Sequence, residues 1–154
     1  MIPISGKHFI PAPKQQVWVA MNTPVVLEKS IRGCENVQKL TDEEWLIAMA
    51  IRVGPIKSSF AVQLLLQNLY PPDNYTLRGI GQSGLAESAR GFADVSLADA
   101  ESGTDLTYSG EFEIGGALGN IAPGIVSNVA NRVSTKFFKR FAECVVETAP
   151  MLTE

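Results

Sequence analysis

The sequence predicts an α+β fold in which a curved antiparallel sheet wraps around one long C-terminal helix and encloses an internal hydrophobic cavity. Three observations lead to this prediction. A strand and two short helices come first, apolar residues then recur with period two from about Trp45 to Ile114, and the period becomes helical from about Ile121 to Glu147. The predicted order is β-α-α, six strands and a final helix. A sheet covered by a single helix can act as a container for an apolar small molecule.

The first three elements are short and are bounded by proline, threonine and glycine. Alternate residues from Ile4 to Ile10, including Gly6 and His8, lie on one face of the opening strand, which ends at 11–13. Pro13 suits a first helical turn, so the first helix begins there. Thr23 is a good N-cap for the second helix, and Gly33 is a typical residue to end it.

The sheet that follows shows five apolar faces separated by turn signals at 54–55, 71–74, 101–103 and 115–116. In the last strand, polar residues occupy every intervening position, so one face is buried and the other is wet. The inward residues are Trp45, Ile47, Met49, Ile51, Val53; Phe60, Val62, Leu64, Leu66; Tyr75, Leu77, Gly79, Gly81; Ala89, Gly91, Ala93, Val95, Leu97; and Leu106, Tyr108, Gly110, Phe112, Ile114. The closing helix carries Val126, Val129, Ala130, Val133, Phe137, Phe141 and Cys144 at helical spacing.

Composition predicts one globular domain, residues 1–147, followed by a C-terminal tail, residues 148–154. Of the 154 residues, 45% are hydrophobic and 19% are charged, and the net charge of −3 disfavours nucleic-acid binding. The two cysteines, Cys34 and Cys144, fit a reducing compartment with thiols better than a disulfide framework. No signal-peptide pattern occurs, and no apolar run approaches the roughly 20 residues of a membrane helix. We therefore expect a cytoplasmic protein.

Small residues on the inward face predict a cavity, although a second explanation stays open. Positions 79, 81, 89, 91, 93 and 110 carry glycine or alanine where a filled core would hold leucine or phenylalanine. These residues either leave room for a ligand or allow the sheet to bend and the helix to sit closer. A dry void of about 300 Å³ would cost on the order of 7 kcal/mol, so it would be collapsed, wet or occupied.

Motifs for other chemistries are weak in this sequence. Residues 79–84 match the glycine-rich dinucleotide fingerprint, but a strand follows where that motif requires a helix. His8, the only histidine, lacks companions at metal-ligand spacing and a nucleophile nearby, so it is either a satisfied core residue or a ligand contact. Cys34 has no adjacent base and is interpreted as structural. We predict no catalytic residue, no metal site and no cofactor.

A basic stripe runs along the polar side of the last helix. It consists of Arg132, Lys136, Lys139 and Arg140. Such a stripe is either a solvated face, favoured by the helix dipole near its C-terminus, or a contact for anionic lipid or an acidic partner.

An ordered set of segments resembles the CoxG family of carbon monoxide dehydrogenase subunits over nearly the whole chain, from about Ile4 to Val145. Ser30-Ile31-Arg32-Gly33-Cys34-Glu35 resembles the family's Cys-Ile-Pro-Gly-Cys-Glu signature, with serine and arginine in place of the first cysteine and the proline. The other matching segments are 11–18, 53–60, 75–81, 103–108, 115–118 and 137–141. His8 stands where the family commonly has an aromatic or apolar residue.

The resemblance implies a fold, a role and a partner. The fold is the helix-grip fold of START domains and pollen allergens, in which the last helix closes a hydrophobic cavity. The role is non-enzymatic binding of a quinone or another lipid, and the partner is a carbon monoxide dehydrogenase-type molybdenum hydroxylase. Family members are thought to recruit this enzyme to the inner face of the membrane. The chain shows no hydrophobic tail like that of many relatives, so we expect only transient contact with a membrane surface.

The predicted ligand site lies between the sheet and the last helix, with Leu27 and Ile31 at its entrance and His8 and Tyr108 as polar contacts. The other predicted contacts are Phe60, Val62, Leu64, Leu77, Gly79, Gly91, Ala93, Gly110, Phe112, Val129, Val133 and Phe137. Two alternatives stay open. A cyclase or dehydratase would need a buried acid–base pair drawn from His8, Tyr108 and Glu35, and an assembly chaperone would have a packed interior.

Overall fold

The predicted order of elements is confirmed. The structure is a computed structural model and describes residues 2–53, 55–83, 88–115 and 121–152. Its elements are β1 (Ile2–Ile10), α1 (Lys14–Met21), α2 (Pro24–Ser30), β2 (Cys34–Lys39), β3 (Glu44–Val53), β4 (Ile56–Tyr70), β5 (Asn74–Ser83), β6 (Ser88–Ala100), β7 (Gly103–Ile114) and α3 (Pro123–Leu152). Four positions used above, Gly54, Gly84, Gly116 and the pair 117–118, lie outside the described residues.

The strands form one curved, open antiparallel sheet of seven strands in the order β1-β7-β6-β5-β4-β3-β2. Consecutive strands from β2 to β7 are neighbours, so hairpin turns make these connections. β1 pairs with β7, from His8 opposite Leu106 to Ile2 opposite Phe112. The opening strand therefore lies beside the last one, and the helices α1 and α2 connect it to β2 at the opposite edge.

Strand β2 is the element that no apolar pattern located. Val37 is the one fully buried residue among its six, because β2 is an edge strand with few residues facing the core. The chain enters it through Gly33, whose φ of +82° is a conformation that favours glycine. A Cβ at Gly33 would meet the carbonyl oxygen of Ala50. Gly33 therefore serves the turn into β2, whereas α2 itself already ends at Ser30.

Polar contacts fix the short helices against one end of the sheet. Lys14 at the start of α1 forms an ion pair with Asp73 in the β4–β5 turn, Nζ to Oδ1 2.6 Å. The buried hydroxyl of Thr104 donates a 2.7 Å hydrogen bond to the carbonyl oxygen of Ala12. Thr23 is the N-cap of α2, but its hydroxyl donates to the carbonyl oxygen of Val19 rather than capping the helix.

The main hydrophobic core lies under the C-terminal half of α3. Phe141, Cys144 and Val145 are fully buried there and pack with Trp45, Leu106 and other inward sheet residues. A smaller cluster, formed by Phe60, Val126 and Val129, lies under the N-terminal half. The helix continues beyond Glu147 to Leu152, into the segment that the sequence analysis assigned to a tail. The domain limits themselves stay a prediction.

Candidate functional site

The inward face of the sheet has one end with large side chains and one end with small ones. Leu66, Tyr75, Val95 and Leu106 are buried in the main core. Further along the same strands the inward positions become glycine or alanine, and the strands carry them in register. The second end therefore has little side-chain volume between the sheet and α3.

Four small residues on β5 and β6 form a contiguous floor at that end. Gly81 lies opposite Ala89, and Gly79 lies opposite Gly91. On the neighbouring strand β4, Val62 lies opposite Gly81. A block of two by two small residues across adjacent strands leaves a depression that a single glycine would not.

Above this floor lies a cavity of about 320 Å³, here called the inner cavity. Strands β1, β4, β5, β6 and β7 supply its base and sides, and the N-terminal half of α3 supplies its roof. Its volume falls at the low end of the range for small-molecule sites. Its lining residues are Ile4, Phe60, Val62, Gly79, Gly81, Ala89, Arg90, Gly91, Phe112, Ile114, Val126, Val129, Ala130, Val133 and Ser134.

The wall of the inner cavity is apolar except at two positions. Arg90 forms an ion pair with Glu113 on the adjacent strand, so part of its charge is already balanced. The hydroxyl of Ser134 is the other polar group. Such a wall gains hydrophobic free energy when an apolar molecule replaces water.

A second cavity of about 700 Å³, here called the outer cavity, adjoins the first. It lies between the turn from α2 to β2, Ala50 of β3, and α3. The two cavities share Val129, Val133 and Ser134, so this stretch of α3 forms a wall of both. Val133 is 39% exposed although it lies on the apolar face of the helix, as expected for a side chain that faces open space.

The inward glycines serve both of the functions that the sequence left open. A Cβ at Gly79 would meet only the side chains of Leu64, at 3.3 Å, and Val62, at 3.9 Å. A Cβ at Gly91 would meet the carbonyl oxygen of Glu111 at 2.6 Å, and one at Gly110 would meet the carbonyl oxygen of Phe92. Gly79 therefore adds cavity space, Gly110 allows close approach of neighbouring strands, and Gly91 does both.

The predicted contact residues fall into three groups. Phe60, Val62, Gly79, Gly91, Phe112, Val129 and Val133 line the inner cavity, and Ile31 and Phe137 line the outer one together with Val129 and Val133. Leu27, Leu64, Leu77 and Tyr108 belong to or pack against the main core. Ala93 and Gly110 lie opposite each other on β6 and β7 and line neither cavity. Which of these side chains touch a ligand stays a prediction.

His8 takes part in an aromatic stack rather than lining either cavity. Its ring lies 4.4 Å from that of Phe138 and 5.9 Å from that of Tyr108, centroid to centroid, with nearly parallel planes. Burial lowers the pKa of His8, because the apolar surroundings disfavour the charged imidazolium.

The cyclase alternative finds no acid–base pair in the inner cavity among the described residues. His8 and Tyr108 are neighbours in the stack, but they lie outside this cavity. Glu35 is exposed on β2, at the opposite edge of the sheet from β1. The assembly-chaperone alternative, which predicts a packed interior, does not account for the inner cavity.

Cys34 remains a thiol in this environment. Burial raises its pKa, and its sulfur contacts the backbone oxygen of Asn36 at 3.7 Å. Because the thiolate is the nucleophilic form, a raised pKa agrees with a structural role. Neither Cys34 nor Cys144 forms a disulfide.

Several lining residues were missing from the predicted set although they lie on predicted inward faces. Gly81, Ala89, Val126 and Ala130 share their faces with predicted contacts. Strand register supplies the signal that could have found the first two, since Gly81 pairs with both Val62 and Ala89. Phe138 lines the outer cavity and stacks on His8, and the sequence gives no sign that both neighbours, 137 and 138, face inward.

Comparison with known families supplies the remaining evidence. The profile of the CoxG family of carbon monoxide dehydrogenase subunits matches residues 6–146, which is most of the chain. The chain belongs to the CoxG family. The resemblance of the segments described above is thereby confirmed. No curated protein matches the chain.

Solved structures confirm that this member of the CoxG family has the helix-grip fold. A conserved protein from Geobacillus kaustophilus is similar with a TM-score of 0.87 and 21% identity, over 96% of this chain and 97% of that one. A START superfamily protein from Mycobacterium smegmatis has a TM-score of 0.74 at 9% identity, covering 96% and 99%. The Zhui aromatase/cyclase from a Streptomyces species has a TM-score of 0.68 at 14% identity, covering 96% and 94%. At these identities the likeness concerns the fold alone.

Within the described part of this CoxG family member, no helix is both long and apolar enough to cross a membrane.

Proposed function

We propose that the protein binds an apolar small molecule, a quinone or another lipid, without transforming it, and that it serves a carbon monoxide dehydrogenase-type molybdenum hydroxylase as an accessory protein. The inner cavity carries this proposal. It is a preformed space of about 320 Å³ whose wall is apolar apart from Arg90 and Ser134. Membership in the CoxG family supports the choice of partner.

The physical argument for an occupant rests on the floor of the cavity. Gly79, Gly81, Ala89 and Gly91 keep the sheet low over two strands, whereas larger side chains at these positions would fill the space and stabilise the core. An apolar wall in contact with water costs roughly 25 cal/mol for each Å² that a ligand would cover. A bound apolar molecule recovers that free energy.

The accessory role requires no covalent chemistry in this chain. A carrier that holds a quinone would connect a cytoplasmic oxidoreductase to a membrane electron-transfer chain, and transient contact at the inner face of the membrane would be sufficient for loading. The basic residues Arg132 and Lys136 lie on the same helix as the cavity roof, which would place the opening near an anionic surface.

Native mass spectrometry of gently purified full-length protein, with solvent extraction of what it releases, tests the ligand. We expect one apolar molecule per chain. Ala89→Leu fills the inner cavity and should lower its affinity for that molecule roughly tenfold. Ala98→Leu makes the same change at an exposed position of the same strand and should have no effect. Equal affinities of the two variants would place the ligand elsewhere, and an apo mass without binding from a quinone and lipid panel would contradict the proposal.

Co-expression with the subunits of a molybdenum hydroxylase tests the partner. A complex that survives size-exclusion chromatography, or a ligand-dependent increase in electron transfer to a quinone, is the expected result. Neither observation in the presence of ligand-loaded protein would contradict the accessory role while leaving the ligand assignment intact.

A further inference from the structure

The outer cavity differs from the inner one in its charge. Arg32 projects from the turn between α2 and β2, and Arg132 and Lys136 come from α3 on the other side. The described residues that line this cavity include no aspartate or glutamate. Three cations from two separate parts of the chain thus surround one space of about 700 Å³.

These three cations have no carboxylate partner within the described part of the chain. By contrast, Lys7, Lys14, Lys39, Arg90 and Arg140 each form an ion pair. Lys29 and Lys139 also lack an ion-pair partner among the described residues, but neither of them lines a cavity. The convergence of Arg32, Arg132 and Lys136 on one space therefore sets them apart from other unpaired surface charges.

The floor between the cations is apolar and leads toward the inner cavity. Ile31, Phe137 and Phe138 line the outer cavity. Val129 and Val133 then continue into the inner cavity. A ligand that occupies both spaces thus meets cations at one end and only apolar groups along its remaining length.

We propose that the ligand is an acidic amphiphile, whose carboxylate or phosphate group binds Arg32, Arg132 and Lys136 while its hydrocarbon chain extends past Val133 into the inner cavity. Charge-assisted hydrogen bonds from arginine and lysine to such a group are about twice as strong as neutral ones. This inference rests on the proposed function and narrows its ligand class, because a neutral quinone would leave the three cations unpaired.

Isothermal titration calorimetry with three matched probes tests the head group. Dodecanoate, methyl dodecanoate and 1-dodecanol share a chain length and differ in charge. At low ionic strength we expect dodecanoate to bind at least about tenfold more tightly than the two neutral probes. In 0.5 M salt that difference should shrink, since screening acts on the charged contact alone. Inorganic phosphate alone should bind far more weakly than dodecanoate, because it lacks the chain.

Two double variants separate the site from general surface charge. Arg32→Gln with Lys136→Gln removes one cation from each side of the outer cavity and should abolish the preference for dodecanoate over its methyl ester. Lys29→Gln with Lys139→Gln removes the same charge from α2 and α3 outside the cavity, and the preference should remain.

Each failure has a distinct meaning. Equal binding of dodecanoate and its ester to the wild-type protein overturns the head-group site but leaves the apolar cavity as proposed. Phosphate binding as tight as that of dodecanoate overturns the amphiphile and indicates a plain anion site. Equal loss of preference in both double variants overturns the assignment to these residues. No binding of any chain-bearing probe overturns the proposed function itself.

Discussion

Gly79 and Gly110 lack a side chain for different physical reasons. At Gly79 a methyl group would contact the Leu64 and Val62 side chains, at 3.3 and 3.9 Å, and both can move slightly. At Gly110 it would overlap the carbonyl oxygen of Phe92 and lie 2.7 Å from the Cα of Ala93, which are backbone atoms of the adjacent strand. Backbone in a paired strand cannot yield without disturbing the sheet.

We expect Gly110→Ala to lower the free energy of unfolding by roughly 2 kcal/mol or more, because the clash must be relieved by moving β6 from β7. Gly79→Ala should change it by less than about 1 kcal/mol, since alanine also reduces the entropy of the unfolded chain. Urea unfolding of both variants checks the contrast. Equal destabilisation would show that both glycines serve close strand approach and that neither one adds cavity space.

His8 makes stability depend on pH in a range where few other side chains titrate. Burial lowers its pKa below the ordinary value of 6.5, so below pH 6.5 the unfolded chain binds more protons than the folded one. Stability is therefore complete above pH 6.5 and decreases as the pH falls through this value toward the folded-state pKa. His8→Phe keeps an aromatic ring against Phe138 and should remove this dependence.

Unfolding free energies at pH 7.5 and pH 5.5 measure the effect. Since His8 is the only histidine, the wild-type protein should lose stability between these values and the His8→Phe variant should lose less. An identical loss in both proteins would assign the pH dependence to carboxylates instead.

At the scale of elements, α3 joins two functions in one helix. Its C-terminal half carries Phe141, Cys144 and Val145, all fully buried in the main core. Its N-terminal half covers the inner cavity, and there Ile125 is 48% and Val133 39% exposed. Packing therefore fixes one half of the helix, while the other half roofs a space that it does not fill.

Truncation of side chains along α3 should reveal this division. We expect Phe141→Ala to cost about 3–5 kcal/mol, the usual range for a buried phenylalanine. Val133→Ala should cost less than about 1 kcal/mol, because its side chain is partly exposed and faces the cavities. Urea unfolding gives both values, and a Val133→Ala cost close to that of Phe141→Ala would mean that the N-terminal half is packed as tightly as the C-terminal half.

Elements that alternate strongly were predictable, and β2 was not. In β7 every second residue from Leu106 to Ile114 faces inward, and the structure agrees. In β2 only Val37 is buried, so the period-two signal is absent. The strand exists because β3 offers it a pairing partner, with Val37 opposite Ile47. A tertiary cause of this kind leaves no local pattern in the sequence.

At the scale of the whole molecule, sequence period identifies which face a residue lies on, but not its position along that face. Leu77, Gly79 and Tyr108 were all assigned correctly to the inward side. Only Gly79 lines the inner cavity, whereas Tyr108 is buried in the main core and Leu77 packs against it. The line between core and cavity is set by where α3 approaches the sheet, and that depends on contacts between residues far apart in sequence.

This division predicts two levels of local stability in the protein without ligand. Amides at 126–133 lie over a small cluster and a cavity, whereas those at 138–145 lie over the main core. Because local opening requires less free energy where less apolar surface is buried, we expect the first segment to exchange hydrogen faster than the second. Hydrogen exchange with mass spectrometry resolves both segments.

Filling the cavity should bring the two segments closer together. Ala89→Leu adds apolar contacts beneath the N-terminal half of α3 and should slow exchange at 126–133, whereas Ala98→Leu on the outer face should not. If α3 instead exchanges uniformly along its length, the helix opens as one unit. The cavity roof could then move to admit a ligand only by also breaking the contacts of Phe141 and Val145 in the main core.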